Sequence, residues 1–260
     1  MAIPSSVRKT DRNPMISALS LAGFIVFWAV LSELRADPRI LPGPVQVAQA
    51  IWAEAAKGAL WLHVSATLAR VAVAFTLAMI IGGALGAVLG RSRGLDRWAD
   101  PWVVVFLNIP ALVVIVLCYL WIGLNEVAAI TAVTLNKAAM VLVTVREGAR
   151  VMDPKLDEMA AVFRLSRRDR FFHLMVPQLA PYLAAAARNG LAVIWKIVLV
   201  VEFLGRSTGV GFQIHLKFQL FDIPGVMAYA FTFVAIMLVI DYALIQPAEQ
   251  HARRWRRRAA

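Results

Sequence analysis

The feature that most constrains this chain is a series of six apolar runs, each about as long as a bilayer-crossing helix. The hydrocarbon core of a bilayer needs about 20 predominantly apolar helical residues to span it. Because backbone amides in lipid must be satisfied within their own segment, runs of this length predict helices and not strands. They predict an all-α membrane protein with one transmembrane domain over residues 1–260. The predicted spans are about 15–34, 65–90, 101–122, 127–145, 182–205 and 225–247.

Composition supports the membrane assignment and argues against nucleic-acid binding. Hydrophobic residues make up 60% of the chain and charged residues only 17%, whereas soluble domains are about 45–50% apolar. The formal net charge of +11 could suggest a nucleic-acid partner. Such proteins carry Lys and Arg on one exposed face, but here these residues cluster in short segments between apolar runs. We therefore expect contact with membrane lipid and no nucleic-acid partner.

The Lys and Arg residues of the connecting segments alternate in density along the chain. They are frequent before the first span, after the second, after the fourth and after the sixth, and rare in the other connections. Six spans put the four basic segments on one side of the membrane, which the positive-inside rule identifies as the cytoplasm. We therefore expect both termini, and the connection around residues 150–180, to be cytoplasmic.

The chain carries no recognisable site for chemistry of its own. A Gly-Lys-Ser or Gly-Lys-Thr sequence of the phosphate-cradling type does not occur. The histidines His63, His173, His215 and His251 are widely separated, and the single cysteine, Cys118, lies in an apolar run. We therefore predict no catalytic, metal-ligating or cofactor-binding residue. Any ATP and Mg²⁺ on which the protein depends would be bound by a partner chain.

Three glycines near the end of the second span are spaced four residues apart, at Gly82, Gly86 and Gly90. This spacing puts them on one helix face, where small residues let two helix backbones approach closely. A phosphate-cradling loop would require a following Gly-Lys-Ser/Thr, which the chain lacks. Helix packing is therefore the prediction.

Pro110 lies inside the third predicted span. A proline inside a helix removes a backbone donor and clashes with the preceding turn, so we expect it to kink or interrupt this span. The sequence leaves open whether such a kink is purely structural or shapes a pathway.

Ionisable residues interrupt the fourth and fifth spans, where a charge costs about 2.5–3.5 kcal/mol on insertion scales. Lys137 lies near the middle of the fourth span, and Lys196 near the middle of the fifth, which also carries Arg188 and Glu202. One hypothesis is that Lys196 pairs with Glu202 or Asp241 and fixes helix packing. The other is that the cations line a hydrated cavity and attract an anionic solute. The residues alone leave both open.

A basic segment, EMAAVFRLSRRDRFFHLMVPQLAP, residues 158–181, connects the fourth and fifth spans. The pattern predicts a short helix beginning at Pro154 and a second amphipathic piece around Phe171 and Phe172, before Pro177 leads into the fifth span. Exposed apolar residues with a basic rim suit docking into a groove on another protein. They equally suit a helix lying on anionic lipid, and the residue pattern alone does not distinguish protein docking from lipid binding.

This segment resembles the EAA loop of permease subunits of bacterial ABC importers, with its Glu-Ala-Ala, Gly and Leu-Pro at set spacing. Arg164 stands at the family's Gly position. If that glycine permits a tight turn between two short helices, Arg164 must adopt a different backbone or be strained. The coupling loop implied by the resemblance covers about 150–180. The positions that it assigns to ATPase coupling are Glu158, Met159, Ala160, Phe163, Arg164, Leu165, Ser166 and Pro177.

Further stretches are similar to the nitrate/sulfonate/taurine group of these permeases, and the resemblance extends over about residues 41–247. Arg70 aligns with the Arg of its Ser/Thr-Leu-x-Arg-Val stretch, and Glu202 with the Glu that precedes its Gly-x-Gly. The similar stretches are LPGPVQV (41–47), TLARVAVAF (67–75), IPALVVIVLCYLWIGL (109–124) and WKIVLVVEFLGRSTGVGF (195–212).

The resemblance implies a type I ABC importer permease fold of six transmembrane helices with a cytoplasmic coupling loop. It implies a homodimer in the bacterial inner membrane, two cytoplasmic ABC ATPase subunits that bind ATP and Mg²⁺, and a periplasmic solute-binding protein. The implied cargo is a small anion such as a sulfonate, taurine or nitrate. A thiamine- or riboflavin-related solute, a gradient-driven carrier or channel, and a scaffold without a pathway are the alternatives.

Overall fold

The structure is a computed structural model that describes residues 14–35, 37, 40–240 and 243. Within these ranges every regular element is helical, which confirms the predicted all-α class. A π-helical turn, Arg170–Met175, joins α8 to α9. The α-helices are α1 (Pro14–Arg35), α2 (Pro44–Ala56), α3 (Ala59–Arg91), α4 (Arg93–Asn108), α5 (Ala111–Ile122), α6 (Glu126–Arg150), α7 (Pro154–Val162), α8 (Arg167–Asp169), α9 (Val176–Gly205), α10 (Val210–Gln219) and α11 (Ile223–Ile240).

Four helical segments of the described chain are long and apolar enough to cross a membrane. They are α3, α6, α11 and the continuous helix Arg167–Gly205, and the bent pair α4–α5 would make a fifth. α1 coincides with the first predicted span and exposes most of its apolar side chains. The number of six crossings and their orientation remain predictions.

The fifth predicted span is shorter than the helix that contains it, and the end of the sixth is not described. The fifth was predicted from residue 182, but its helix is continuous from Arg167, with Pro177 in the first turn of α9 and Pro181 inside it. The π-helical turn Arg170–Met175 lies directly before Val176 and Pro177, so the α-helical hydrogen-bond pattern has already changed where the proline enters and the chain continues as helix. The predicted end of the sixth span at 247, and Asp241, lie outside the described residues.

The third predicted span is two helices and not one. α4 and α5 meet at an angle of 95°, and Pro110 is the N-cap of α5 with an extended backbone, at φ −57° and ψ 135°. The first half is held to α6 by charge, because Arg146 Nη1 donates to Asp100 Oδ1 at 2.8 Å and to Asp96 Oδ1 at 3.3 Å. α4 therefore lies against α6, and the chain turns sharply between α4 and α5.

The three spaced glycines lie where α3 and α6 run side by side in the same direction. A Cβ at any of them would come within 2.5 Å of a carbonyl oxygen of α6. Only glycine permits this approach, since every other residue adds that atom. The facing pairs are Gly82 with Ala138, Gly86 with Leu142, and Gly90 with Arg146.

The main core forms where α3, α5, α6 and α9 meet, around Val71, Ile115, Val133 and Val198. α9 runs antiparallel to α6, because Gly190 faces Lys137 whereas Tyr182 faces Gly148.

The helix directions define two ends of the bundle. We call the end with Arg91, Arg150 and residues 150–180 the loop end, and the end with Ala59, Glu126 and Gly205 the far end.

Candidate functional site

Arg70, on α3, is the centre of a buried ion network near the far end. Its Nε and Nη2 donate to Glu126 Oε2 and Oε1 at 2.9 and 2.6 Å. Its Nη1 donates to Glu202 Oε1 at 2.6 Å and to the Thr208 carbonyl oxygen at 2.7 Å, and Nη2 also donates to Thr208 Oγ1 at 2.7 Å. All five N–H donors of the guanidinium are therefore used. This buried cation is fully satisfied.

Glu202, on α9, is the most enclosed member of the network, with an exposed fraction of 0%. Its Oε2 accepts hydrogen bonds from Thr67 Oγ1 and from the Gly211 amide, both at 2.9 Å. Gly209 has φ +116°, and a Cβ added at Gly209 or Gly211 would overlap Glu202. The Gly-x-Gly sequence therefore wraps the carboxylate closely, and L side chains would not fit there.

The hypothesis that Lys196 pairs with Glu202 is wrong. Arg70 and hydrogen-bond donors already occupy both Glu202 oxygens. Lys196 is exposed and makes no hydrogen bond or ion pair with any residue that the structure describes. The six-residue separation places Lys196 and Glu202 on different faces of α9, so the two side chains diverge.

Glu126 forms the outer rim of the same network. It is the first residue of α6, where a negative charge is favoured by the helix dipole, and its side chain is 47% exposed. Besides Arg70 it accepts from Arg206 Nη2 at 2.6 Å. Two arginines and two carboxylates balance, so the network has no excess positive charge with which to hold an anion. We interpret it as a clamp between α3, α6 and the end of α9.

The exposed face of α9 is unlike the apolar surface around it. Ala185, Arg188, Asn189, Ala192 and Lys196 are all exposed, and their spacing puts them on one side of the helix. The helix belongs to a segment with the length and hydropathy of a membrane span. Two predicted intramembrane cations, Arg188 and Lys196, thus share a face with an amide and two small residues.

Lys137, the third predicted intramembrane cation, lies elsewhere. Its exposed fraction is 1%, and the hydrogen-bond acceptor it reaches among the described residues is the Met140 thioether, at 3.6 Å. Opposite it on α9 is Gly190, where a Cβ would come 2.9 Å from Lys137 Cε. Phe75 of α3 lies beside the same notch. This ammonium group is therefore enclosed without a carboxylate from the part of the chain that the structure describes.

The first helix of the 150–180 loop is α7, capped at both ends. Asp153 accepts a hydrogen bond from the Lys155 amide at 2.9 Å at its start. At its end the Leu165 amide donates to the Ala160 carbonyl at 2.9 Å, and the Arg164 amide to the Ala161 carbonyl at 3.1 Å. These two bonds form a Schellman motif. Its left-handed position is Arg164, at φ 51°.

Arg164 therefore forms the tight turn that the resemblance associates with a glycine. The sequence predicted either a different backbone or strain at Arg164. The structure shows strain, because an L residue in the left-handed region places its Cβ unfavourably.

Most residues that the resemblance assigned to coupling form an exposed surface. Phe163 is 72% exposed at the end of α7. Ala160 is the exception, because it is buried. Ser166 caps α8 by accepting from the Asp169 amide at 3.1 Å. The other exposed members are Glu158, Met159, Arg164, Leu165 and Pro177.

Asp157 fastens α7 to its neighbours. It accepts from Arg91 Nη2, at the end of α3, at 3.0 Å and from Arg170 Nη2 at 2.9 Å. Burial alone would raise the pKa of this carboxyl group, but the hydrogen bonds from Arg170 and Arg91 outweigh it and lower the pKa. Asp157 is therefore ionised at neutral pH, and we call these two ion pairs the α7 latch.

Sequence reasoning missed Glu126 and Asp157 and assigned no role to Arg70. The signal for Arg70 was available, because an arginine inside an apolar run requires a carboxylate partner. No comparable signal existed for Asp157, since its partners come from a different helix and from beyond α7. Within the described residues, no group of three or more His, Cys, Asp or Glu side chains is arranged to hold a metal ion.

Comparison with known proteins gives a consistent result. The family described as binding-protein-dependent transport system inner membrane component matches residues 74–256. The putative aliphatic sulfonates transport permease protein SsuC of Escherichia coli is 30% identical over 191 residues, covering 73% of each chain. The riboflavin transport system permease protein RibX of Chloroflexus aurantiacus is 30% identical over 238 residues, covering 91% of this chain and 88% of that one.

A solved structure gives the same fold. An inward-facing structure of the MetNI methionine ABC transporter contains a chain, 20% identical, that aligns with a TM-score of 0.59 over 75% of this chain and 93% of that one. This likeness confirms the predicted type I ABC importer permease fold.

Proposed function

The chain belongs to the family of binding-protein-dependent transport system inner membrane components, and from that premise we propose that it forms the pathway of an ATP-driven importer for a small anionic solute. The membership makes it an ABC transporter permease, and the nature of the solute is the proposal. The supporting observation is the cationic face of α9.

That face is unsuited to lipid. Lys196 lies mid-helix, is exposed and has no partner among the described residues, and a lysine at this depth facing hydrocarbon is costly. Arg188 and Asn189 lie on the same side of α9. A hydrated pathway removes the cost of exposing these groups, and a cationic lining favours an anion. The sulfonate named for the SsuC relative has that charge.

A second copy of the chain would complete the pathway. A single helix face cannot enclose a solute, whereas two copies related by a two-fold axis can place their α9 faces opposite one another. Ala185 and Ala192 lie among the polar residues of this face, and small residues let membrane helices approach closely. We therefore assign a homodimer.

The 150–180 loop is the proposed docking site for the ATPase subunits, which would bind the ATP and Mg²⁺. Its exposed Phe163 and Val162 form an apolar tip on α7, suited to a groove on a partner protein. The α7 latch holds this tip to the end of α3 and to the π-helical turn that leads into α9, and the Schellman turn fixes the end of α7 itself. Movement of a docked ATPase would therefore reach the spans.

The proposed function also implies a location and an orientation in the membrane. We place the loop end and both termini in the cytoplasm of a bacterium with the protein in the inner membrane, in agreement with the positive-inside rule. A periplasmic binding protein would then deliver the solute to the far end.

Reconstituted uptake tests the proposal. The permease would be inserted into proteoliposomes with its ATPase and loaded binding protein, and uptake of taurine, ethanesulfonate, nitrate and riboflavin would be compared. We expect ATP-dependent uptake of an anion, and we expect Lys196→Met to reduce it at least about tenfold with assembly intact. Lys57→Met, at the end of α2, is the matched control and should leave uptake unchanged.

Three results would contradict the proposal. Uptake without ATP would indicate a gradient-driven carrier, and uptake of riboflavin alone would exclude an anion pathway. Loss of assembly in Lys196→Met would show that the lysine is structural.

A further inference from the structure

Arg70, Arg146 and Lys137 are buried among the residues that the structure describes, and Lys137 differs from the two arginines. Arg146, like Arg70, is paired with carboxylates. Arg70 is enclosed with two carboxylates and uses all five of its donors. Lys137 is enclosed more completely and has no carboxylate or oxygen acceptor among the described residues. Breaking or omitting the partner of a buried charge is strongly destabilising, so Arg70 represents the arrangement expected of a structural cation. Lys137 does not fit that arrangement.

The surroundings of Lys137 accommodate it without stabilising its charge. Gly190 leaves the volume that the end of the side chain occupies, because a Cβ there would lie 2.9 Å from Cε and 3.7 Å from Nζ. The Nζ atom is 3.6 Å from Met140 Sδ, and a thioether is only a weak acceptor. A neutral side chain of the same length would fill this space without the penalty of an uncompensated charge.

The ammonium group is one side chain away from the exterior of the helix bundle. Gly190 is buried and lies on the inner side of α9, away from the exposed cationic face. Met140, whose sulfur contacts Nζ, is itself 41% exposed. One flexible thioether side chain therefore separates Nζ from the surface of α6.

We propose that Lys137 is an internal binding subsite for an oxyanion group of the transported solute, covered by Met140 in this conformation and uncovered when α6 and α9 shift during transport. The ligand class is a sulfonate, carboxylate or nitrate-type group. The anion supplies the charge partner that the resting fold lacks, so the subsite favours a state with bound solute. This inference rests on the proposed function and adds a specificity residue to it.

The first test separates a binding role from a structural one. In the reconstituted complex with ATPase and binding protein, Lys137→Met should reduce ATP-driven uptake of ethanesulfonate, taurine or nitrate, whichever the wild type carries, at least about tenfold. The same substitution should raise the thermal unfolding midpoint of the complex, because it removes an uncompensated buried charge. Lys57→Met should change neither quantity.

The second test uses the glycine notch. Gly190→Ala should push Lys137 from its position and lower anion uptake, but it should have little further effect in the Lys137→Met background, because the two changes act on one site. Equal effects in both backgrounds would mean that Gly190 acts on helix packing alone, and would overturn the subsite.

The remaining outcomes distinguish failure of the subsite from failure of the proposed function. Wild-type uptake by Lys137→Met overturns the subsite but leaves the anion importer intact. A lower unfolding midpoint in Lys137→Met assigns the lysine a structural role and also overturns it. Absence of ATP-driven uptake of all three anions by the wild type removes the proposed function, and the subsite with it.

Discussion

The two ends of the bundle both use arginine–carboxylate pairs, but in different surroundings. At the far end the Arg70 side chain is 7% exposed and its partner Glu202 is 0% exposed. At the loop end, Asp157 and its partners Arg91 and Arg170 are each exposed by about a third or more. Breaking one side of a buried pair is strongly destabilising, whereas an exposed pair contributes little. The loop end also contains the largely buried pair of Arg146 with Asp96. We therefore infer that the far end is a fixed clamp and that α7, held by its exposed latch, can rearrange.

The backbone shows the same contrast. At the far end the left-handed position next to Glu202 is Gly209, because any side chain would overlap the carboxylate. At the loop end the left-handed position is Arg164, whose side chain is exposed. A crowded site requires glycine, whereas an exposed turn tolerates a modest strain.

The largest effect is expected from breaking the far-end clamp. Glu202→Ala leaves one Arg70 donor and the Gly211 amide without an acceptor, so the free energy of unfolding should fall by about 3–5 kcal/mol. Denaturant unfolding of the purified chain in detergent would measure it. Glu158→Ala, at an exposed loop position with no partner among the described residues, should change it by less than about 0.5 kcal/mol. Equal losses in both variants would remove the contrast between the two ends.

A smaller effect is expected from titrating the α7 latch. The folded pKa of Asp157 is below its ordinary value, so the latch is fully present above the unfolded pKa of about 3.9 and is lost as pH falls through the folded pKa. Hydrogen-exchange protection of α7 amides should therefore be constant from about pH 5 to 8 and fall only below about pH 4, by about 0.2–1 kcal/mol for each ion pair.

Asp157→Asn is the reference for this titration, since its α7 protection should be lower and independent of pH. A change in wild-type protection between about pH 5 and 8 would point to a different titrating group and would contradict the latch.

The smallest effect is expected from relieving the turn after α7. Arg164→Gly should stabilise the loop by about 0.5–1 kcal/mol, because glycine avoids the left-handed penalty but is more flexible when unfolded. Stronger hydrogen-exchange protection of the Leu165 amide, which donates to Ala160, would measure it. Arg164→Lys keeps the Cβ and should give no gain. An equal gain from lysine would assign the effect to the guanidinium group and not to the backbone.

Features of the fold that depend on one segment of the sequence were predictable, and features that depend on several segments were not. The apolar runs predicted helices at the positions of α3, α6 and α11, because hydropathy and helix length are properties of one segment. The sharp bend at Pro110 was predictable for the same reason. The helix from Arg167 to Gly205 was not, because its continuation past Pro177 passes through the π-helical turn Arg170–Met175, which the residue pattern does not indicate.

The residues of the candidate site were also only partly predictable from the sequence. Sequence alone identified Lys137 and Lys196 as cations inside apolar runs, and it identified the 158–181 segment as a basic amphipathic connection. It could not say that Lys137 is enclosed at a glycine notch while Lys196 is exposed on α9. Which face of a helix meets a neighbour depends on all the helices that pack around it.

By itself the sequence determined the class of protein, the positions of its apolar helices and the family to which it belongs, because these depend on composition and order along one chain. Tertiary structure alone decided that Glu202 binds Arg70, which is 132 residues away, and that Lys137 has no charged partner among the described residues. The physical reason is that charge pairing acts over a few ångströms in space. Such distances are set only when the helices have packed.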